Sequence, residues 1–447
     1  MAKERAANEC GAQLVNRKLP RMAAALVPRE LMSWSLSAIA LGALEGGLLG
    51  VIVKNQFADA APEAVVNIAV AVAASAPSFT NLSSFLFVAW AAGKDKLVLL
   101  TRLMLVISAC LVVMALPGLN STGLLVFCLL AVLARTAWSG ILTIRASVWR
   151  ANYSRAWRGQ VTARIVRLSS LLVAGCSASI GFLLDWEADS FRIAFLLASA
   201  CALLAARVYR NSRVRGHRQL LAAEKAEQAL QGGRLSLAAF TTVLRANVDF
   251  RRYMAGMMVF GSGNLMLLPM LVIMLNEYLA LSQFRQVVIT SSLPLFVLYF
   301  SVPYWARMLD QRHIFSYRAI HSWFFVIASA LFAMAVILHR SELLWPASVV
   351  LGSAYAGGHL GWNLGHNDFS SDANASNYMA IHVTLTGLRG LIMPIIGTGF
   401  YQYLSVHWEG RAPYALLLPL SLSIAGSLIF VALHFERKRR PASGGIS

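Results

Sequence analysis

The sequence predicts an all-α integral membrane protein, with twelve transmembrane helices in two pseudo-symmetric six-helix bundles. Three observations predict it. Hydrophobic residues make up 58% of the chain and charged ones 13%, well below the roughly 25% charge of a soluble domain. Twelve stretches are long and apolar enough to cross a hydrocarbon core of about 30 Å, which takes about 20 helical residues. A basic stretch, 210–252, separates two apolar blocks of nearly equal length, 31–209 and 253–434. That is the pattern of a duplicated membrane protein.

In chain order, 1–30 is a basic segment without the apolar core and cleavage site of a signal peptide, so the first apolar helix is expected to direct insertion. The candidate spans are 31–53, 65–91, 97–117, 123–147, 164–186 and 191–209 in the first half. In the second half they are 253–276, 285–306, 317–338, 344–365, 380–404 and 413–434. The second span carries Asn67, Pro77 and Asn81, polar inserts expected where a helix faces a cavity instead of lipid. Within the central loop, 220–230 reads LLAAEKAEQAL. It predicts a short amphipathic helix, lying either on the membrane or across the two halves, or else a solvated linker helix. Residues 435–447 form a basic tail.

Lys and Arg fix the expected orientation. Of 39 such residues, 32 fall in segments on the side of the two termini and five on the other: Lys54, Arg192, Arg285, Arg340 and Arg411. Both termini are therefore expected in the cytoplasm, in a multi-pass protein of the plasma (inner) membrane. The formal charge of +19 becomes a collar beside the anionic lipids of the cytoplasmic leaflet, not a nucleic-acid surface. Five cysteines (Cys10, Cys110, Cys128, Cys176, Cys201) show no paired spacing and read as small buried hydrophobes.

Two six-helix halves around a long basic loop resemble the major facilitator superfamily of secondary transporters, and local motifs add to the likeness. After helix 2, Ala91-Ala-Gly-Lys-Asp95-Lys96 is similar to that family's Gly-x-x-x-Asp-(Arg/Lys)-x-Gly loop, with Ala for the first Gly and without the second Gly. After helix 8, Ala306-Arg307-Met-Leu-Asp310-Gln-Arg312-His313 repeats the spacing from small residue to Asp. On helix 4, Arg135-Thr-Ala-Trp138-Ser-Gly140 resembles the family's Arg-x-x-x-Gly-x-Gly signature. Helix 5 lacks the antiporter signature Gly-x-x-x-Gly-Pro, reading GCSASIG at 175–181. The resemblance implies a central cavity lined by helices 1, 4, 7 and 10. It implies helices 3, 6, 9 and 12 toward lipid, and conformational gating by Asp95, Lys96, Asp310 and Arg312.

A charge at mid-bilayer costs about 2.5–3.5 kcal/mol on insertion scales, so such residues face a bundle interior or water. Glu45 lies near the middle of helix 1 and Arg135 near the middle of helix 4. They are expected to form a cavity pair, either coupling proton movement or standing as a permanent structural ion pair. Asn264 occupies the corresponding place in helix 7, and helix 10 offers His359, Trp362 and Asn363 in a glycine-dense run, 357–365. These read either as a ligand surface or as tight packing around a satisfied histidine. Arg389, in helix 11, either binds an anionic group or reaches back to Asp368 or Asp372. Two buried arginines against one glutamate favour an anionic or zwitterionic solute.

Loop 10–11 carries no Lys or Arg although it lies on the basic side. It is expected to accept bonds from Arg155 and Arg158 as a gate. A metal site from His366, Asp368 and His382 is the alternative, though its spacing matches no metal motif, and no cofactor is expected. The reading is a monomeric, proton-coupled secondary transporter for a small solute, with Na⁺ as the alternative coupling ion. The competing function is a non-transporting receptor or assembly scaffold on the same fold. No carboxylate dyad, nucleophile elbow or phosphate-binding Gly-x-x-x-x-Gly-Lys-(Ser/Thr) run points to an enzyme.

Overall fold

A computed structural model describes residues 21–230, 237–370 and 375–439. Among them there is no strand, and twelve long helical spans account for most of the chain. The first half holds Leu26–Gln56, Glu63–Ser83 with its continuation Ser84–Ala91, Lys96–Met114, Ser121–Asn152, Arg155–Trp186 and Ser190–Arg210. The second holds Val248–Glu277, Gln283–Gln311, Ile314–Ile337, Leu344–Leu364, Ala375–His407 and Ala412–Arg439. Eleven of these are long and apolar enough to cross a membrane. The remaining one, span 10, carries the glycine run and His359, which dilute its hydropathy.

Observed helices outrun the apolar stretches because polar residues cap them outside the hydrocarbon. Asp95 Oδ1 accepts from Leu97 N at 2.9 Å to start span 3. Asn120 Oδ1 accepts from Gly123 N at 2.8 Å to start span 4, and Asn247 Oδ1 from Phe250 N at 2.9 Å to start span 7. Each satisfies a backbone donor the first helical turn leaves free.

The packing repeats with an offset of six. Span 1 lies against spans 5 and 6 as span 7 lies against 11 and 12, and span 3 lies against 4 and 6 as span 9 lies against 10 and 12. Between the halves, span 2 meets 11 and span 5 meets 8, an exchange a pseudo-two-fold axis requires. Large apolar residues on the outward faces of spans 3, 6, 9 and 12, such as Leu105, Leu197, Ile327 and Leu428, are exposed. Helix His217–Leu230 replaces the shorter one predicted over 220–230. It docks on the loop between spans 2 and 3 through Glu224. The four described free cysteines lie at least partly buried.

Candidate functional site

Span 1 is not continuous. Its first helix ends at Ala43, and the second, Gly46–Gln56, begins after Glu45, whose backbone is extended at φ −66° and ψ 138°. The sequence placed Glu45 inside a helix; it is the cap of one. Its Oε2 accepts from Gly47 N at 2.8 Å and Leu48 N at 3.3 Å. The same oxygen takes the Ser291 hydroxyl of span 8, so the cap is also a bond between the halves. Span 8 is itself irregular there, with a π-helical turn over Val288–Ser292. Such turns recur at functional sites. The two irregularities meet because Glu45 is followed by two glycines. A Cβ on Gly46 would stand 2.3 Å from Ala74 O, and one on Gly47 2.1 Å from Ser291 Oγ.

Arg135 of span 4 and Tyr355 of span 10 both lie within the electrostatic reach of Glu45. Arg135 makes no ion pair with it at contact distance, and its Nε has no hydrogen-bond partner. The predicted pair is thus a through-space one, and the direct partner of Glu45 is Ser291. His359 and Asn363 of span 10 are exposed, although span 10 lies inside the bundle against spans 8 and 9. They face open internal space. Asn363 Nδ2 donates to its own helix at His359 O, 2.8 Å. Trp362 is half-buried and gives Nε1 to Thr386 Oγ1 at 3.3 Å. Asn264 accepts from Ser423 Oγ of span 12 at 3.3 Å.

Arg389 does not reach back to Asp368. Its Nη1 donates to Met257 O of span 7 and its Nη2 to Thr386 Oγ1 at 3.5 Å. Gly261 makes the room, since a Cβ there would lie 2.3 Å from the guanidinium carbon. Asp368 instead accepts from Ile314 N at 2.6 Å and lies 3.8 Å from His313 Nε2. Burial pushes the His313 imidazole below its usual pKa, and the Asp368 carboxylate opposes that shift. Asp372 and the side chains of Arg155 and Arg158 lie outside the described residues. His366, Asp368 and His382 do not gather, and no group of three metal-ligating side chains exists among the described residues.

Of the predicted gate, Asp95 caps span 3 and faces His217 Nε2 at 3.4 Å. Lys96 is buried, bonded to Glu224 at 2.6 Å and to the carbonyls of Ala91 and Lys94. Asp310 and Arg312 are exposed.

The most extensive polar junction between the halves was missed by sequence reasoning. It lies at the end of the bundle remote from the termini. Lys54, read as a loop residue, is 7% exposed and pairs with Glu277 of span 7. Lys54 also donates to Asn67 Oδ1 at 2.9 Å, Asn67 donates to Gln402 Oε1 at 3.1 Å, and the Tyr401 hydroxyl donates to Glu277. Around this core, Asn276 bonds Asn55 at 2.7 Å and Gln56 bonds Gln283 at 3.0 Å. Nearer the termini, Arg167 lies over the Tyr299 ring at 5.3 Å, and spans 2 and 11 pack closely where Gly387 meets Leu82. The central space is thus bonded shut at the remote end.

No protein-family model matches the chain, and no curated protein does. Solved structures do. A D-xylose–proton symporter aligns at TM-score 0.69 and 11% identity, over 91% of this chain and 96% of that one. A bacterial homologue of the human lysosomal transporter Spinster, inward-facing and unoccupied, aligns at 0.65 and 11%, over 96% and 100%. A nucleoside transporter, NupG, aligns at 0.62 and 13%, over 92% and 100%. The chain has the major facilitator fold.

Proposed function

We propose that the chain is a secondary active transporter that moves a small anionic or zwitterionic solute by alternating access, coupled to protons. The observation that carries this is Glu45. A carboxylate stands at a helix break midway through the bundle, bonded across the interface to Ser291 and within the field of Arg135. An ionisable group half-buried among apolar spans, at the junction of two repeats, is where proton occupancy and domain rotation meet. The D-xylose–proton symporter and the peptide and nucleoside transporters among the structural neighbours support the class. Arg135, Arg389, His359 and Trp362 are the solute-side residues, and no cofactor takes part.

The lysine and arginine asymmetry supports cytoplasmic termini in an inner membrane. On that orientation the Lys54–Glu277 junction is an external gate. One chain supplies both walls of the cavity, which supports a working monomer. The structural neighbours are transporters, which supports transport over catalysis.

The test uses the purified full chain in liposomes loaded with a pH-reporting dye, under an imposed membrane potential. Monocarboxylates, dicarboxylates, phosphate esters, amino acids and sugars are added in turn. The expected result is proton entry with at least one class, saturable in solute. Solute binding without proton or solute flux for every class would favour the receptor reading instead.

A further inference from the structure

The second bundle buries positive charge that nothing negative meets among the described residues. Arg318 is 1% exposed and sits one turn into span 9. Its Nη1 lies 3.3 Å from His321 Nδ1, and its Nε has no hydrogen-bond partner. His321 Nε2 lies 2.8 Å from Ala354 O, so its N–H is held there and Nδ1 is left to accept. Arg389 is 5% exposed, with its Nε also unpartnered. Between them stands His382, 1% exposed, with neither ring nitrogen bonded. Arg318 and Arg389 both act electrostatically on His382 and on each other. Among the described residues no carboxylate lies within ion-pair distance of either guanidinium; Asp368 is held by Ile314 N and His313.

An arginine keeps its charge in proteins, and a buried one without a counter-charge is strongly unfavourable. Two arginines stand close together here, each with an unbonded Nε, and His382 beside them has neither ring nitrogen bonded. The arrangement is costly as it stands and complementary to an anion. Planar guanidinium groups match carboxylate or phosphate oxygens in geometry as well as sign. Trp362 is the door. Its indole bonds Thr386, which Arg389 also contacts, and its ring lies 5.8 Å from the His382 ring. On the same helix, His359 and Asn363 face the open space.

We propose that Arg318, His382 and Arg389 form an oxyanion site in the second bundle, entered past Trp362, which receives the carboxylate or phosphate group of the transported solute. The class of solute rests on the transporter reading; the existence of the site does not.

The experiment is thermal unfolding of the full chain in detergent, in a buffer whose only anion is chloride, with sodium phosphate, sulfate or succinate replacing chloride at constant ionic strength. The expected result is a saturable rise in Tm with phosphate or succinate, absent in Arg389→Gln. That variant is also expected to melt higher than the parent in chloride alone, because it removes an unmatched buried charge. A merely structural arginine would give the reverse. Arg318→Gln is the second variant, should the first fail to fold. A Tm that no oxyanion moves, or one that moves equally in both variants, overturns the site. An intact anion-dependent shift without flux in liposomes would overturn the transporter reading alone.

Discussion

Lys54→Met is expected to open the remote end of the bundle. Lys54 is buried and holds Glu277 and Asn67, one in each half. Methionine keeps the volume of the aliphatic stem and removes the charge. Glu277 then loses the cation it pairs with and keeps the Tyr401 hydroxyl. Breaking a buried pair from one side costs about 3 kcal/mol, which is about two orders of magnitude in a two-state population. A cysteine placed at Asn55 should then react with a membrane-impermeant thiol reagent from that side roughly 100-fold faster than in the parent. The charge swap Lys54→Glu with Glu277→Lys should restore much of the protection, since it rebuilds the pair. Equal reactivity in parent and Lys54→Met would mean the pair does not hold the gate.

Glu45→Gln is expected to abolish uphill accumulation while leaving the protein folded. The amide oxygen of Gln can still accept from Gly47 N and Leu48 N, so the helix start after the break keeps its cap. The titratable charge is gone, and with it the means of tying proton occupancy to Ser291 across the interface. The internal-to-external solute ratio should fall to about 1, with exchange of labelled for unlabelled solute retained, because a transporter without coupling still equilibrates its solute. Glu45→Ala removes the cap as well and should cost about 1 kcal/mol of stability. Wild-type accumulation by Glu45→Gln would refute the coupling role.

The fold was legible because lipid imposes two coarse rules, helix length and the placement of charge, and both leave marks that a single sequence carries. The site was legible only in part. Glu45, Arg135 and Arg389 stood out as charges among apolar residues. The break at Glu45 had a local signal, an acidic cap followed by Gly46 and Gly47, but an apolar window reads through it. Lys54 was hidden by its position, just past the last apolar residue of span 1. Its partner Glu277 is 223 residues away, and pairing at that distance has no signature in one chain. Arg318 was hidden the same way. It lies near a helix start, where a basic residue normally reaches the lipid headgroups, yet it turns inward over Gly361, whose missing Cβ leaves it room. Ser291 looked like any small polar residue until the π-helical turn aimed it at Glu45.

The central claim is that two rigid halves rock about the Glu45–Ser291 junction, so that the remote end must open as the terminal end closes. Spin labels at Leu119 and Leu338 report the remote end, and labels at Arg210 and Lys438 the terminal end; all four positions are exposed. Distance distributions for both pairs, measured in liposomes across a pH series and in Lys54→Met, test the claim directly. The account predicts two populations in each pair, with the remote distance lengthening in the same fraction of molecules in which the terminal distance shortens. A single, unchanging distance at both ends under every condition, or both ends lengthening together, would contradict it.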